Sequence, residues 1–293
     1  MPFEHPMPIS SNSLTVHRFT RRRLLGCVAA ALGAAAIPVG SMAQPNEGRL
    51  ALVIGNSAYR LAPLKNPVND AGAMAERLKQ LGFTVMLHEN TTFTQLIEAL
   101  REFSVKAASN AVRLVFYAGH GIQSKGRNYL VPVDADVQSE DEISTKSADI
   151  GELVDRLGGI KHGINIVILD ACRVNPFSSG VVVGPDGRRI RFRGAATPGL
   201  APLDAPVGTL VAFSTAPNGV ALDGVNEKHS IYAKHLLANL TTPGIAVEQL
   251  FKKVRIGVAD ETQRVQVPWE SSSLTADFCF KSNAAGRCSP TGL

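Results

Sequence analysis

Two apolar, β-branched runs, residues 112–117 and 164–169, constrain this chain more than any other feature. Runs of about four to eight residues rich in Val and Ile read as buried strands of a parallel sheet. In open α/β sheets, ligands and chemistry gather at the carboxyl ends of the strands. The first run leads into Ala118-Gly119-His120-Gly121 and the second into Asp170-Ala171-Cys172-Arg173. The sequence therefore places one imidazole and one thiol where neighbouring strands run out into loops. An imidazole within reach of a thiol can take its proton and leave a thiolate, a nucleophile–base pair. A lone Cys at a strand end is otherwise a small core hydrophobe. Two local features favour chemistry here. Gly119 and Gly121 bracket His120 and let the backbone approach a ligand closely. Arg173 follows Cys172, either as a cation that favours the thiolate or as a plain surface arginine.

Strand and helix patterns alternate along the rest of the chain. Residues 50–54 read as a strand, and residues 67–81 as a helix opened by Pro67, with Asn66 as its N-cap and Gly82 as its stop. Residues 84–87 form a second strand. Residues 92–108 form a helix whose Phe93, Leu96, Ile97, Leu100 and Phe103 share one apolar face and are assigned to the core. Residues 121–133 read as a hairpin around Gly126-Arg127, running away from His120. Residues 134–142 form an acidic loop and 148–157 a helix. A strand at 209–214 is followed by helices at 231–240 and 246–259. Such alternation implies parallel βαβ units in a three-layer α/β sandwich. Residues 173–207 break the pattern. This Gly-, Pro-, Ser- and Arg-rich connection reads as having no structure of its own, and a connection that long inside a domain is functional or disordered.

On these motifs the chain resembles the caspase/metacaspase superfamily of cysteine peptidases, and among them its bacterial caspase-like members. Leu50-Ala51-Leu52-Val53-Ile54-Gly55-Asn56 resembles the family's first strand, and Leu64-Lys65-Asn66-Pro67-Val68-Asn69-Asp70-Ala71 continues the match. Ala212-Phe213-Ser214-Thr215-Ala216-Pro217 resembles the strand lining the substrate cleft. The match ends near Pro268-Trp269-Glu270-Ser271-Ser272-Ser273-Leu274, so it covers residues 49 to 280. The separation of about 50 residues between His120 and Cys172 is also that of caspases.

The resemblance implies a caspase-like three-layer sandwich, its central sheet mostly parallel, with helices on both faces. It divides residues 44–293 into a large-subunit-like part (49–177), a linker loop (178–207) and a small-subunit-like part (208–280). It makes Cys172 the nucleophile and His120 the general base, later the acid that protonates the leaving amine. The backbone N–H groups of Cys172 and Gly121 would form the oxyanion hole, with glycine at 121 because a side chain there would crowd the substrate carbonyl. No carboxylate completes the dyad. Asp170 stands where animal caspases carry Gln, and Asp70 matches a second acidic pocket residue of metacaspases. With Ser214 they make up the substrate-binding set, and the two carboxylates imply cleavage after Arg or Lys. Asp170 as a cap on local backbone amides is the alternative. Val174 departs from the family pattern, whereas Asn175-Pro176-Phe177 resembles the bacterial members. Self-processing is expected after one of Arg188, Arg189, Arg191 or Arg193, where superfamily members are cut between subunits.

Residues 1–43 read as a twin-arginine export signal. Thr20-Arg21-Arg22-Arg23-Leu24-Leu25 precedes an apolar stretch at 26–37, and Ser41-Met42-Ala43 offers cleavage after Ala43. The apolar stretch is too short for a permanent membrane span. Arg23 abuts Leu24-Leu25-Gly26-Cys27 and defeats a lipobox reading. The segment holds four arginines (Arg18, Arg21, Arg22 and Arg23) and one acid, Glu4, so the net charge falls from +5 to +2 on its removal. A chain so close to neutral has no footprint for nucleic acid. Its expected partner is a peptide or protein substrate, its location periplasmic or secreted, and no oligomeric state is assigned. Cys279 and Cys288 can pair in an oxidising compartment, which leaves Cys172 as the odd thiol. No cofactor is expected. Asp134, Asp136, Glu140, Asp141 and Glu142 lack the fixed spacing of a calcium loop and read as solvated. Two other readings compete with an exported endopeptidase. One is a catalytically idle caspase-fold interaction module, against which both His120 and Cys172 stand. The other is a non-peptidase thiol hydrolase, whose usual Gly-x-Ser-x-Gly elbow is absent.

Overall fold

Alternation along the strands sends successive side chains into two separate cores, and this organises the molecule. The computed structural model describes residues 48–173, 181–183, 189–191, 200–217, 221–222 and 227–288. The central strands are β1 (Arg49–Gly55), β2 (Thr84–Glu89), β3 (Val112–Ser124), β6 (Ile164–Arg173) and β9 (Thr209–Phe213), and β10 (Trp269–Ser272) closes one edge. The order across the sheet is β10-β9-β6-β3-β1-β2. Every pair along it is parallel except antiparallel β9–β10. Two short strands, β4 (Arg127–Leu130) and β5 (Ala148–Asp149), extend the sheet off the end of β3. The chain thus has the expected caspase-like α/β architecture.

Ala51, Val53, Leu114, Phe116, Ile166, Ile168, Leu210 and Ala212 point to one face. There they pack under α1 (Pro67–Gln80), α5 (Ile231–Asn239) and α6 (Val247–Glu261). Leu50, Leu52, Ile54, Val115, Tyr117, Val167, Leu169, Val211 and Phe213 point to the other, under α2 (Phe93–Ala107) and α4 (Ile150–Gly158). Two stacks of fully buried side chains, each removed from water at about 25 cal/mol per Å² of apolar surface, hold the three layers together. A one-turn helix, α3 (Ile143–Lys146), precedes β5.

Local signals account for most boundaries. Thr92 and Gln95 form a reciprocal capping box at α2, where the Thr92 N–H donates to Gln95 Oε1 at 2.9 Å. Asp149 caps α4 by accepting the Gly151 N–H at 2.8 Å. Lys125 and Gly126, with φ of 50° and 78°, make the two-residue turn of the expected hairpin, one residue earlier than Gly126-Arg127, since Arg127 already pairs in β4. Arg113, at the start of β3, is 1% exposed. Its guanidinium donates to the carbonyls of Ala107, Asn110 and His162 and to Asn165 Oδ1, lacing the ends of α2, β3 and β6 together.

The structure corrects several expectations. Asn66 precedes α1 without a side-chain cap bond. Ile97 is 40% exposed, because the buried stripe of α2 runs Leu96, Ala99, Leu100, Phe103 and Ala107, and Ile97 lies about 100° off it. The acidic loop is largely exposed, as expected, and its carboxylates also make local bonds. Asp134 accepts the Phe93 N–H at the start of α2, Asp136 pairs with Arg60, Glu140 accepts from Ser124, Asp141 pairs with Lys125 and Glu142 with Lys146. The 173–207 connection carries an antiparallel ribbon of its own, β7 (Val181–Val183) against β8 (Arg189–Arg191). Residues 1–43, Val174, Asn175-Pro176-Phe177, Arg188 and Arg193 lie outside the described residues.

Candidate active site

The site grows from an extension of two strands. β3 and β6 stay in parallel register beyond their apolar runs, with Ala118 opposite Asp170, His120 opposite Cys172 and Gly121 opposite Arg173. His120 and Cys172 therefore stand at the same level of adjacent strands, whose backbones run about 4.8 Å apart. They lie inside paired strands rather than in the loops beyond them, as the apolar runs alone suggested. The apolar run ends where the core ends, but backbone pairing does not require apolar side chains.

His120 is half-buried, and its Nε2–H donates to the Ala62 carbonyl at 2.7 Å. A carbonyl only accepts, so this bond selects the Nε2–H tautomer and leaves Nδ1 to accept a proton. Burial pushes the imidazole below its ordinary pKa, with the Ala62 bond acting in the opposite direction. The neutral, proton-accepting form is thereby favoured at neutral pH. The Tyr59 ring packs against the imidazole with centroids 4.3 Å apart, at 51°. Ala62 and Tyr59 come from the loop that follows β1. The sequence offered no signal for Ala62, because the group used is a backbone carbonyl.

A Cβ built on Gly121 would fall 3.1 Å from Ala171 Cβ and 3.3 Å from Leu200 Cδ2. The side-chain direction at 121 thus runs into the packed interior of the protein. A side chain at 121 would therefore press on Ala171 and Leu200, which gives glycine a packing reason there besides the one expected from the substrate carbonyl.

Asp70 and Asp170, the two acids expected to bind substrate, both bond the dipeptide His229-Ser230 just before α5. Asp70, in the first turn of α1, is 1% exposed, and Asp170 is 8% exposed. His229 Nδ1 bonds Asp70 Oδ1 at 2.7 Å, and the Ser230 N–H donates to Asp70 Oδ2 at 3.2 Å. The Ser230 hydroxyl donates to Asp170 Oδ2 at 2.5 Å while accepting the Ala233 N–H at 2.9 Å, so the helix cap and the acid link share one oxygen. His229 and Ser230 were not legible beforehand, since their partners lie about 160 and 60 residues away. Ser214 ends the β9 run, donating its N–H to the Leu169 carbonyl and accepting from Gln266. Its side chain is fully buried, and its Oγ has no hydrogen-bond partner among the described residues. Near these groups, burial and then the Asp170 charge hold the Tyr232 hydroxyl well above its ordinary pKa.

Comparison with known proteins places the chain in a family. The family model for the caspase domain matches residues 48–279. The human mucosa-associated lymphoid tissue lymphoma translocation protein 1 is 33% identical over 128 residues, 43% of this chain and 15% of that protein. Caspase-1 of Rattus norvegicus is 27% identical over 256 residues, 81% of this chain and 60% of that protein. The chain thus spans less than two thirds of the length of either relative.

Proposed function

This chain belongs to the caspase-domain family, and on that premise we propose that it is an exported cysteine endopeptidase that cleaves after Arg or Lys. The observation that carries the reading is the register of His120 with Cys172, together with an imidazole whose Nε2–H is held by Ala62. Nδ1 takes the Cys172 thiol proton, and the thiolate attacks the scissile carbonyl carbon. The C–N bond then breaks as the imidazolium returns its proton to the leaving amine. Water, deprotonated by His120, hydrolyses the thioester and regenerates the thiol. The N–H groups of Gly121 and Cys172 stabilise the oxyanion, at about 3 kcal/mol per donor.

Two buried carboxylates, Asp70 and Asp170, linked through His229 and Ser230, support selection of a basic side chain at the cleaved position. Export is supported by the twin-arginine segment and by the Cys279–Cys288 disulfide, with Cα atoms 5.5 Å apart, which suits an oxidising compartment. Among the described residues no helix is long and apolar enough to cross a membrane. Self-processing at Arg189 or Arg191 requires β8 to leave its ribbon, because a protease binds its substrate as an extended, unpaired strand.

The test is turnover of short fluorogenic peptides ending in Arg, Lys or Asp by the mature chain and by Cys172→Ala. Turnover of the Arg and Lys peptides that vanishes in Cys172→Ala is the expected result. Preference for the Asp peptide overturns the pocket assignment. No turnover of any peptide, with Cys172 still alkylated rapidly, favours the idle module or a non-peptidase thiol hydrolase.

A further inference from the structure

We propose that Tyr59 and Tyr117 are positioning residues that clamp the backbone of His120 at both of its polar groups and so hold its imidazole for proton transfer. This rests on the assignment of His120 as the base.

The clamp follows from where β1 stops. Its last residue, Gly55, pairs opposite Ala118, and the Asn56 N–H donates to the Ala118 carbonyl at 2.9 Å. Alternate residues of a strand present their backbone polar groups to the same neighbour, so His120 faces the side on which β1 has ended. A buried N–H without a ladder partner is costly and must be satisfied otherwise, and a carbonyl has a second lone pair that can take a further donor. Two phenols do this. Tyr59 Oη accepts the His120 N–H at 2.8 Å, and Tyr117 Oη donates to the His120 carbonyl at 2.7 Å. The same carbonyl also accepts the Val131 N–H at 3.1 Å. Each phenol has a single proton. Tyr117 Oη also stands 3.0 Å from the Val131 carbonyl, but its shorter contact is with His120, and the proton of Tyr59 then goes to the Val131 carbonyl at 3.1 Å or to Tyr117 Oη at 3.2 Å. Tyr59 is 7% exposed and Tyr117 fully buried, so neither hydroxyl has ready recourse to solvent.

Gly119 is the complement of this arrangement. Its φ is +155°, and a Cβ there would lie 2.6 Å from Tyr59 Oη and 2.8 Å from Tyr117 Oη. The two hydroxyls occupy the volume a side chain would need. Tyr59 also packs its ring on the imidazole and belongs to the loop that delivers the Ala62 carbonyl to Nε2. That loop is anchored in turn, since the N–H groups of Ser57 and Ala58 both donate to Asn90 Oδ1 at 2.9 Å. The orientation of one imidazole is therefore set from its ring, its amide and its carbonyl.

The test compares Tyr59→Phe, Tyr117→Phe and His120→Ala in the full mature chain, by peptide turnover and by the pH dependence of Cys172 alkylation with iodoacetamide. Each Phe variant keeps its ring and removes one oxygen. We expect kcat to fall about tenfold with KM within about twofold, and the alkylation midpoint to move to higher pH because a misplaced imidazole supports the thiolate less well. The two phenols touch different backbone groups, so either single variant suffices should the other fail to fold. Phe variants that melt earlier but keep the wild-type kcat and alkylation midpoint overturn the clamp. If His120→Ala also leaves turnover and alkylation unchanged, the assignment of His120 as the base falls with it. If only His120→Ala shifts them, the base stands and the clamp alone is wrong.

Discussion

At the scale of single residues, burial and hydrogen bonding act on His120 in opposite directions, and burial dominates. The unfolded chain takes up the imidazole proton near pH 6.5, whereas the folded chain does so only at lower pH. Between those values the unfolded state binds more protons, so stability rises with pH through the window. It is fully present above about pH 6.5 and is lost as the pH falls through the folded value, at up to about 1.4 kcal/mol per pH unit. Thermal unfolding of Cys172→Ala should accordingly give a lower midpoint at pH 5 than at pH 7, and His120→Gln in the same background should flatten that slope. Identical slopes would remove His120 as the source.

At the scale of elements, the lower end of the sheet depends on one side chain. Arg113 serves Ala107 at the end of α2, Asn110 in the connection, Asn165 on β6 and His162 before it. Burial lowers its pKa from the ordinary arginine value, but the guanidinium stays charged because that value starts so high. Arg113→Met would fill much of the space and leave those acceptors without a donor. Unsatisfied buried carbonyls cost about 1–3 kcal/mol each. A loss of about 3 kcal/mol in urea-induced unfolding is expected, and a loss below about 1 kcal/mol would show that the acceptors find other donors. The same element scale explains why β10 escaped the sequence reading. Trp269–Ser272 is a four-residue edge strand, half open to solvent, and lacks the continuous apolar run that marks the central strands.

At the scale of the whole molecule, the C-terminal segment closes the α1–α5–α6 core. Phe278 and Phe280 are buried there beside Phe83, with Arg49 stacked on the Phe83 and Phe278 rings. The Cys279–Cys288 bond encloses a loop with a sequence separation of 9 residues. Loop-closure entropy for about ten residues corresponds to about 2–3 kcal/mol. Cys288→Ser should lower the unfolding free energy of the oxidised protein by that amount in urea and abolish the further loss that a reductant causes in wild type. A reductant effect that persists in Cys288→Ser would place the redox-sensitive bond elsewhere.

The positions of the central strands and of the helices along the chain, the two chemistry-bearing strands among them, were legible in the sequence because they rest on local periodicity, whereas the order of the strands across the sheet came only from the tertiary structure. Val- and Ile-rich runs mark buried strands, Pro67 and Thr92 mark helix starts, and Gly126 marks a turn whatever the rest of the chain does. His120 and Cys172 were candidates for the same reason, since each follows such a run. Only the tertiary structure decided that β3 and β6 remain paired past their apolar segments, which brings those two residues level. Nor could local pattern have revealed Ala62, Tyr59, His229 or Ser230 as neighbours of His120, Asp70 and Asp170. Their partners lie 58 to 160 residues away, and the contacts use single polar atoms, which leave no periodic trace. The buried stripe of α2 is the intermediate case. Its helical period was in the sequence, but the face turned to the sheet, which excludes Ile97, was set by what α2 packs against.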